Sequence, residues 1–119
     1  MRKIILASSS IHRKKLLKQI KLNFIAISPD IDESRNKNES VNKFVKRLSI
    51  EKAMKIAVLR KNSIVIGSDE IAVVDDKILG KPLTKKNARK QLNLISGKKV
   101  IFKTGICVID TNTMKKLSS

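Results

Sequence analysis

The stretch Ser63-Ile64-Val65-Ile66-Gly67-Ser68-Asp69-Glu70-Ile71-Ala72-Val73-Val74 is rich in β-branched residues, and Ile64-Val65-Ile66 is its expected buried core. Asp75-Asp76 supplies turn chemistry, and Lys77–Leu79 reads as a short returning strand. Upstream, residues 40–59 hold the clearest helix. Ser40 is a good N-cap, and Val41, Phe44, Val45, Leu48, Ala53, Ile56 and Ala57 recur at near-helical spacing. The same alternation extends to the N-terminus. Lys3–Ala7 reads as a short buried strand, and Ser8-Ser9-Ser10 as a small polar loop whose last serine can cap a helix over 11–20. Leu16, Leu17 and Ile20 share one face of that helix. Residues 23–27 read as a second strand, and 28–38, with Pro29, as a loop.

Downstream, Gly80-Lys81-Pro82 breaks the pattern. Thr84 can cap a helix in which Ala88, Leu92 and Ile95 share a face, and Gly97 suits the left-handed position after its end. Residues 98–109 form a long strand candidate, which needs a neighbour on each side or leaves an exposed edge. Residues 110–119 are polar and show no clear partner. Strands separated by helices imply an α/β class. The hairpin at Asp75-Asp76 adds an antiparallel element, so the expectation is a mixed twisted sheet with flanking helices.

The chain has 119 residues, one small domain's worth. At 41% apolar residues it has enough to build a core, which argues against general disorder. A single cysteine, Cys107, leaves no disulfide framework and no cysteine-rich zinc site. A single histidine, His12, excludes a multi-histidine metal cluster, and with it as the only imidazole a serine–histidine–aspartate arrangement is not expected. No apolar run approaches the ~18 residues of a membrane span. The run Ile4-Ile5-Leu6-Ala7 is short of the ~7–15 residues of a signal-peptide core. The expectation is a soluble protein of a reducing cytoplasm. The net charge of +17 suggests a polyanionic partner such as nucleic acid or nucleotide. AT-rich codons, which encode the 21 Lys, 17 Ile and 8 Asn, give the same excess without any partner. Phe24, Phe44 and Phe102 are the only aromatics, too few for the stacking that single-strand binders use.

Four local groups can carry chemistry. Ser8-Ser9-Ser10 with Arg13 places small residues and a forked cation at a helix N-terminus, suited to an anion; the bland alternative is an ordinary cap. Asp30-Ile31-Asp32-Glu33 crowds carboxylates that suit a hard cation, or simply forms a solvated loop. Gly67-Ser68-Asp69-Glu70 puts acids at the end of a buried strand, where open α/β sheets bind ligands, or forms a plain turn. Lys81, between Gly80 and Pro82, and Lys52, inside the long helix beside its apolar positions, suit phosphate as point charges, although this chain is full of lysines. Together they make the apparatus of phosphoryl or pyrophosphoryl chemistry: carboxylates for a divalent metal, cations and a helix N-terminus for phosphates. There is no G-x-x-x-x-G-K-[ST] loop, which excludes a P-loop enzyme.

These residues resemble the Maf family of nucleoside triphosphate pyrophosphatases. The resemblance is carried, in order, by Ile5 to Arg13 (I-L-A-S-S-S-I-H-R), Asp30-Ile31-Asp32-Glu33, and Phe44 to Leu48 through Glu51-Lys52-Ala53. It continues through Ile66-Gly67-Ser68-Asp69, Leu79-Gly80-Lys81-Pro82, Asn87-Ala88-Arg89 to Ser96-Gly97, and Thr104-Gly105. Each motif is weak singly; their order makes the signal specific. The variant Gly67-Ser68-Asp69 with Gly80-Lys81-Pro82-Leu83-Thr84 is most similar to the bacterial branch that hydrolyses 7-methyl-GTP.

The resemblance implies an inosine-triphosphatase-like fold and hydrolysis between the α and β phosphates of a modified nucleotide, keeping that nucleotide out of nucleic acid. It implies Asp69 as proton acceptor, with Ser8, Arg13, Glu33, Lys52 and Lys81 lining the phosphate and metal site. Glu33 and Asp69 would hold a divalent metal cation, Mg²⁺ or Mn²⁺. His12 and Glu70 occupy positions tied to base selection; the branch's usual proline and aromatic are here Ile11 and His12, and its common glutamine is Glu70. A cationic, methylated guanine favours a nearby carboxylate, which Glu70 supplies. Family members run on with further strands and a helix, so the resemblance implies a single incomplete domain over 1–119, lacking the C-terminal part of the fold. It implies a nucleoside triphosphate as partner, no membrane, and allows a homodimer. Two alternatives stand beside it: an inactive truncated remnant of such an enzyme, and a basic nucleic-acid-binding module. The acidic motifs oppose the second, because carboxylates on a binding face repel phosphate.

Overall fold

A computed structural model describes residues 2–75, 77–79 and 84–119. The element order is β1 (Lys3–Ala7), α1 (Ile11–Gln19), β2 (Ile25–Ala26), α2 (Val41–Ala57), β3 (Ser63–Val74), β4 (Lys77–Leu79), α3 (Lys85–Ile95), β5 (Ile101–Asp110) and β6 (Lys115–Ser118). They form one six-stranded sheet in the order β2-β1-β3-β5-β6, with β4 also on β3. β1 runs parallel to β2 and β3, while β3 pairs antiparallel with β4 and β5. The expected mixed sheet with flanking helices is what the chain forms.

The period-2 alternation of β3 sends Val65, Gly67, Asp69, Ile71 and Val73 to one buried face. On β5 the matching set is Gly105, Cys107 and Ile109. One helix covers that face. α2 starts where the Ser40 side chain accepts the Lys43 amide, and it buries Phe44, Val45, Leu48, Ser49, Lys52, Ala53, Ile56 and Ala57. Its C-terminal half packs with Ile5, Ala7, Val65, Cys107 and Ile109. Its N-terminal half packs with Ile71 and Val73. Burial raises the Cys107 thiol above its ordinary pKa of 9.0.

Two strand glycines let α2 lie flush. A β-carbon at Gly105 would sit 2.5 Å from the Val45 carbonyl oxygen, and one at Gly67 would sit 2.7 Å from the Ala53 nitrogen. Because α2 touches the sheet backbone, its core-facing cation, Lys52, is brought against the core-facing carboxylate of β3, Asp69.

Two expectations need correction. Residues 110–119 do have a partner: β6 pairs Lys115–Ser118 with β5, after a turn in which Met114 takes φ 56°. The polarity that disguised it has a cause. β6 is an edge strand whose apolar Leu117 is 80% exposed, so no buried face forces alternation. β2 is only Ile25–Ala26, shorter than 23–27. The apolar faces of α1 and α3 are not buried: neither helix has a buried residue, and Leu16, Ile20 and Leu92 are exposed. The hairpin turn is formed with Asp75 at φ 51°, while Asp76 lies outside the described residues. Gly97, at φ 72°, takes the left-handed position expected of it. Among the described residues no helix is long and apolar enough to cross a membrane.

Candidate active site

β1 pairs with β3 only as far as Ala7↔Gly67, and β4 joins that same edge only from Ala72↔Leu79. Among the described residues, 68–71 therefore have a strand neighbour on the β5 side alone. This gap beyond the carboxyl end of a parallel strand is where an open α/β sheet receives a ligand. A cleft of about 570 Å³ fills it, lined by the serine loop and α1 on one side, α2 and the acidic loop on another, and β3 with β5 as floor.

The serine loop is ordered by its own side chains. Ser8 is buried, and its Oγ accepts the Ser10 amide at 3.0 Å and Arg13 Nη1 at 3.3 Å. Ser10 Oγ accepts the Arg13 amide and caps α1. The result sets a guanidinium and a helix N-terminus at one wall.

Opposite stands an ion triad. Lys52 Nζ donates to Asp69 Oδ1 at 2.8 Å and lies 2.9 Å from Glu33 Oε1. Asp69 is buried, while the Glu33 side chain is 57% exposed. A buried carboxylate on the apolar face of a strand is tolerable only with its countercharge in place. Glu33 reaches the same ammonium from the solvent side. On the floor, Glu70 Oε2 accepts the Thr104 hydroxyl at 3.3 Å, across the register pair Glu70↔Thr104.

Ser8, His12, Arg13, Glu33, Lys52, Asp69 and Glu70 thus line one cleft. Lys81 lies outside the described residues. Sequence reading did not single out Ser28, Pro29 or Ile106, which line the same space, and met Ser68 only within Gly67-Ser68-Asp69-Glu70. It met Thr104 only within the Thr104-Gly105 pair. The β3–β5 register places Thr104 and Ile106, and nothing local in the sequence specifies a register.

The divalent cation can be tested against these donors. Among the described residues no group of three or more His, Cys, Asp or Glu could hold a metal. Asp69 and Glu33 do share one cation, the Lys52 ammonium. Two carboxylates fit a Mg²⁺-type ion that completes its coordination with water and substrate phosphate, and do not fit a cation cage built of protein alone.

The acidic loop titrates with its structure. The hydroxyl and amide of Ser34 hold Asp32 below its ordinary value of 3.8. The Arg47 guanidinium holds Glu39 below its ordinary value of 4.5. Groups with depressed folded pKa bind protons more readily in the unfolded chain. Their stabilisation is present above the unfolded values and is lost as pH falls through the folded ones. The melting temperature is expected to drop as pH is lowered from about 5 to about 3, and Glu39→Gln should flatten that drop. An unchanged acid slope in the variant would remove Glu39 from the account.

The fold and the cleft define an α/β protein whose sheet-gap cleft sets a guanidinium and a helix N-terminus opposite a Lys52–Asp69–Glu33 triad. The comparisons specify it further: the chain belongs to the Maf family, whose Maf-like protein profile matches residues 3–119. It is 48% identical over 110 residues to the 7-methyl-GTP pyrophosphatase of Alcanivorax borkumensis, covering 92% of this chain and 56% of the relative. It is 50% identical over 107 residues to the 7-methyl-GTP pyrophosphatase of Pseudoalteromonas translucida, covering 90% of this chain and 53% of the relative. The chain thus spans a little over half the length of the curated relatives it matches. Two solved structures share its fold: the Ham1 protein of Staphylococcus aureus and a nucleoside-triphosphatase, dITP/XTP pyrophosphatase, of Mycobacterium abscessus. The first has TM-score 0.58 and 19% identity, covering 98% of this chain and 67% of that one. The second has TM-score 0.51 and 13% identity, covering 98% and 70%.

Proposed function

We propose that the chain is a nucleoside triphosphate pyrophosphatase of the cytoplasm that hydrolyses a modified nucleotide, 7-methyl-GTP first among candidates, to the monophosphate and pyrophosphate. The observation that carries this reading is the Lys52–Asp69 pair, buried at the back of a cleft whose other wall is Ser8, Ser10 and Arg13. Sequence relatives named for 7-methyl-GTP support the substrate class.

The roles follow from position. Arg13 and the α1 N-terminus receive phosphate oxygens, and Lys52 places positive charge beside the reacting centre. Lys52 engages Asp69 Oδ1, which leaves the second carboxylate oxygen to accept a proton from water. The water oxygen forms a bond to the α-phosphorus, the bond from that phosphorus to the bridging oxygen breaks, and pyrophosphate departs with the electron pair. Glu33 and Asp69 would hold the divalent cation, which supplies neutralising charge to the polyphosphate when bound. Glu70 and His12, at the cleft wall, bear on the base; a carboxylate there favours the positive charge of 7-methylguanine.

The test offers the purified chain 7-methyl-GTP and the common triphosphates with Mg²⁺ or Mn²⁺, and identifies the products. Pyrophosphate with nucleoside monophosphate, fastest from 7-methyl-GTP and abolished by EDTA, is the expected result. Release of single phosphate, or turnover that survives chelation, overturns the assignment.

A further inference from the structure

Glu33 is the one member of the triad that packing does not fix. Its side chain is more than half exposed and it rides on a loop, yet it meets Lys52 at 2.9 Å. What holds the loop is a residue outside the cleft. Arg47, on α2 five residues before Lys52, donates Nη2 to the Ser34 carbonyl at 2.8 Å. It donates Nε and Nη2 to the two carboxylate oxygens of Glu39 at 2.7 and 3.0 Å. Its Nη1 reaches both oxygens of Glu51 at 3.1 and 3.2 Å. The guanidinium carbon lies 5.4 Å from the centre of the Phe44 ring. Every nitrogen of the fork is engaged, in a planar arrangement that an ammonium cannot copy. Glu39 closes the loop from its own end by accepting the Asn36 amide, while its carbonyl accepts the Arg35 guanidinium at 2.9 and 2.6 Å.

Residues 33 and 34 are thus tied to one helix at two points, Glu33 to Lys52 and Ser34 to Arg47. We propose that Arg47 is a positioning residue that clamps the acidic loop on α2 and so sets Glu33 at the cation site beside Asp69. The metal and activity arms of this inference rest on the pyrophosphatase reading; the clamp itself does not. Arg47 touches no substrate. Its effect passes through the loop to one carboxylate, so it governs cation affinity more than the chemical step.

Arg47→Lys keeps the charge and the helix while losing the fork. Hydrogen exchange on the full chain is expected to show protection of residues 31–39 falling about tenfold, with β3 and β5 amides unchanged. Mn²⁺ binding in the presence of inorganic pyrophosphate, read by water-proton relaxation, should weaken about tenfold or more, as for other residues that orient a metal ligand. In a Glu33→Gln background the same change should add nothing to the loss of Mn²⁺ affinity. Unchanged loop protection overturns the clamp, as does protection lost evenly over the whole chain. A Mn²⁺ loss additive with Glu33→Gln overturns its link to Glu33. A wild-type chain that released no pyrophosphate would sink the pyrophosphatase reading and leave the exchange result standing.

Discussion

Asp69→Asn is expected to lower pyrophosphate release about 10³-fold, the scale on which a positioned general base contributes. The substitution is nearly isosteric, so the side chain still fits between Gly67 and Ile71 on the buried face of β3. What changes is chemistry. The carboxamide cannot take a proton from water, and it removes one of the two negative charges around Lys52 and any cation. Lys52 keeps Glu33, so its ammonium is not stranded without a countercharge, and the fold is expected to survive. Thermal melting of the variant, measured beside the assay, separates lost chemistry from lost structure. A folded variant that retained a tenth of the activity would transfer the proton acceptor to another group, with Glu33 and Glu70 next in line.

Asp69 was legible in the sequence because it breaks a pattern. An acid just after the apolar run Ile64-Val65-Ile66 stands where open α/β sheets bind ligands, and the structure adds that it faces the core, a conflict with the hydrophobic alternation of the kind that concentrates at functional sites. Lys52 was legible for the same reason, since it falls in phase with Leu48 and Ile56 on the buried face of α2. α2 and β3 were readable because both are half-buried and their periods show it. β6 was not, because an edge strand with Leu117 in solvent carries no buried face to imprint a pattern. The bare apolar faces of α1 and α3 show the limit of such a reading, since helical spacing states which residues share a face and not whether anything covers it. Arg47 was hidden by composition. One more cation in a chain of 27 says nothing until the loop carbonyl and two carboxylates are seen around it. Thr104 needed the β3–β5 register, a long-range property that no local residue choice specifies.

Gly67→Ala is expected to destabilise the protein by about 3 kcal/mol, at the upper end of overpacking effects. Gly67 pairs with Ala7 on one side and Cys107 on the other, so it sits mid-sheet and cannot shift alone. Its added β-carbon would lie 2.7 Å from Ala53 nitrogen and 2.8 Å from Ala53 Cβ, and would also press on the Ser49 carbonyl oxygen. These are backbone atoms and a β-carbon, which no rotamer change can move; relief requires α2 to lift. Among the described residues α2 is the only helix with buried residues, so lifting it loosens both core clusters together. It also draws Lys52, the residue before Ala53, away from Asp69. Activity should therefore fall even at temperatures where the variant is still folded. Gly97→Ala is the control: Gly97 has φ 72° and nothing within 4 Å of the new carbon, so only local strain of about 1–2 kcal/mol is expected, with the cleft untouched. If Gly67→Ala melted within about 0.5 kcal/mol of the parent, as ordinary surface changes do, the flush seating of α2 would not be what joins the lysine to the aspartate.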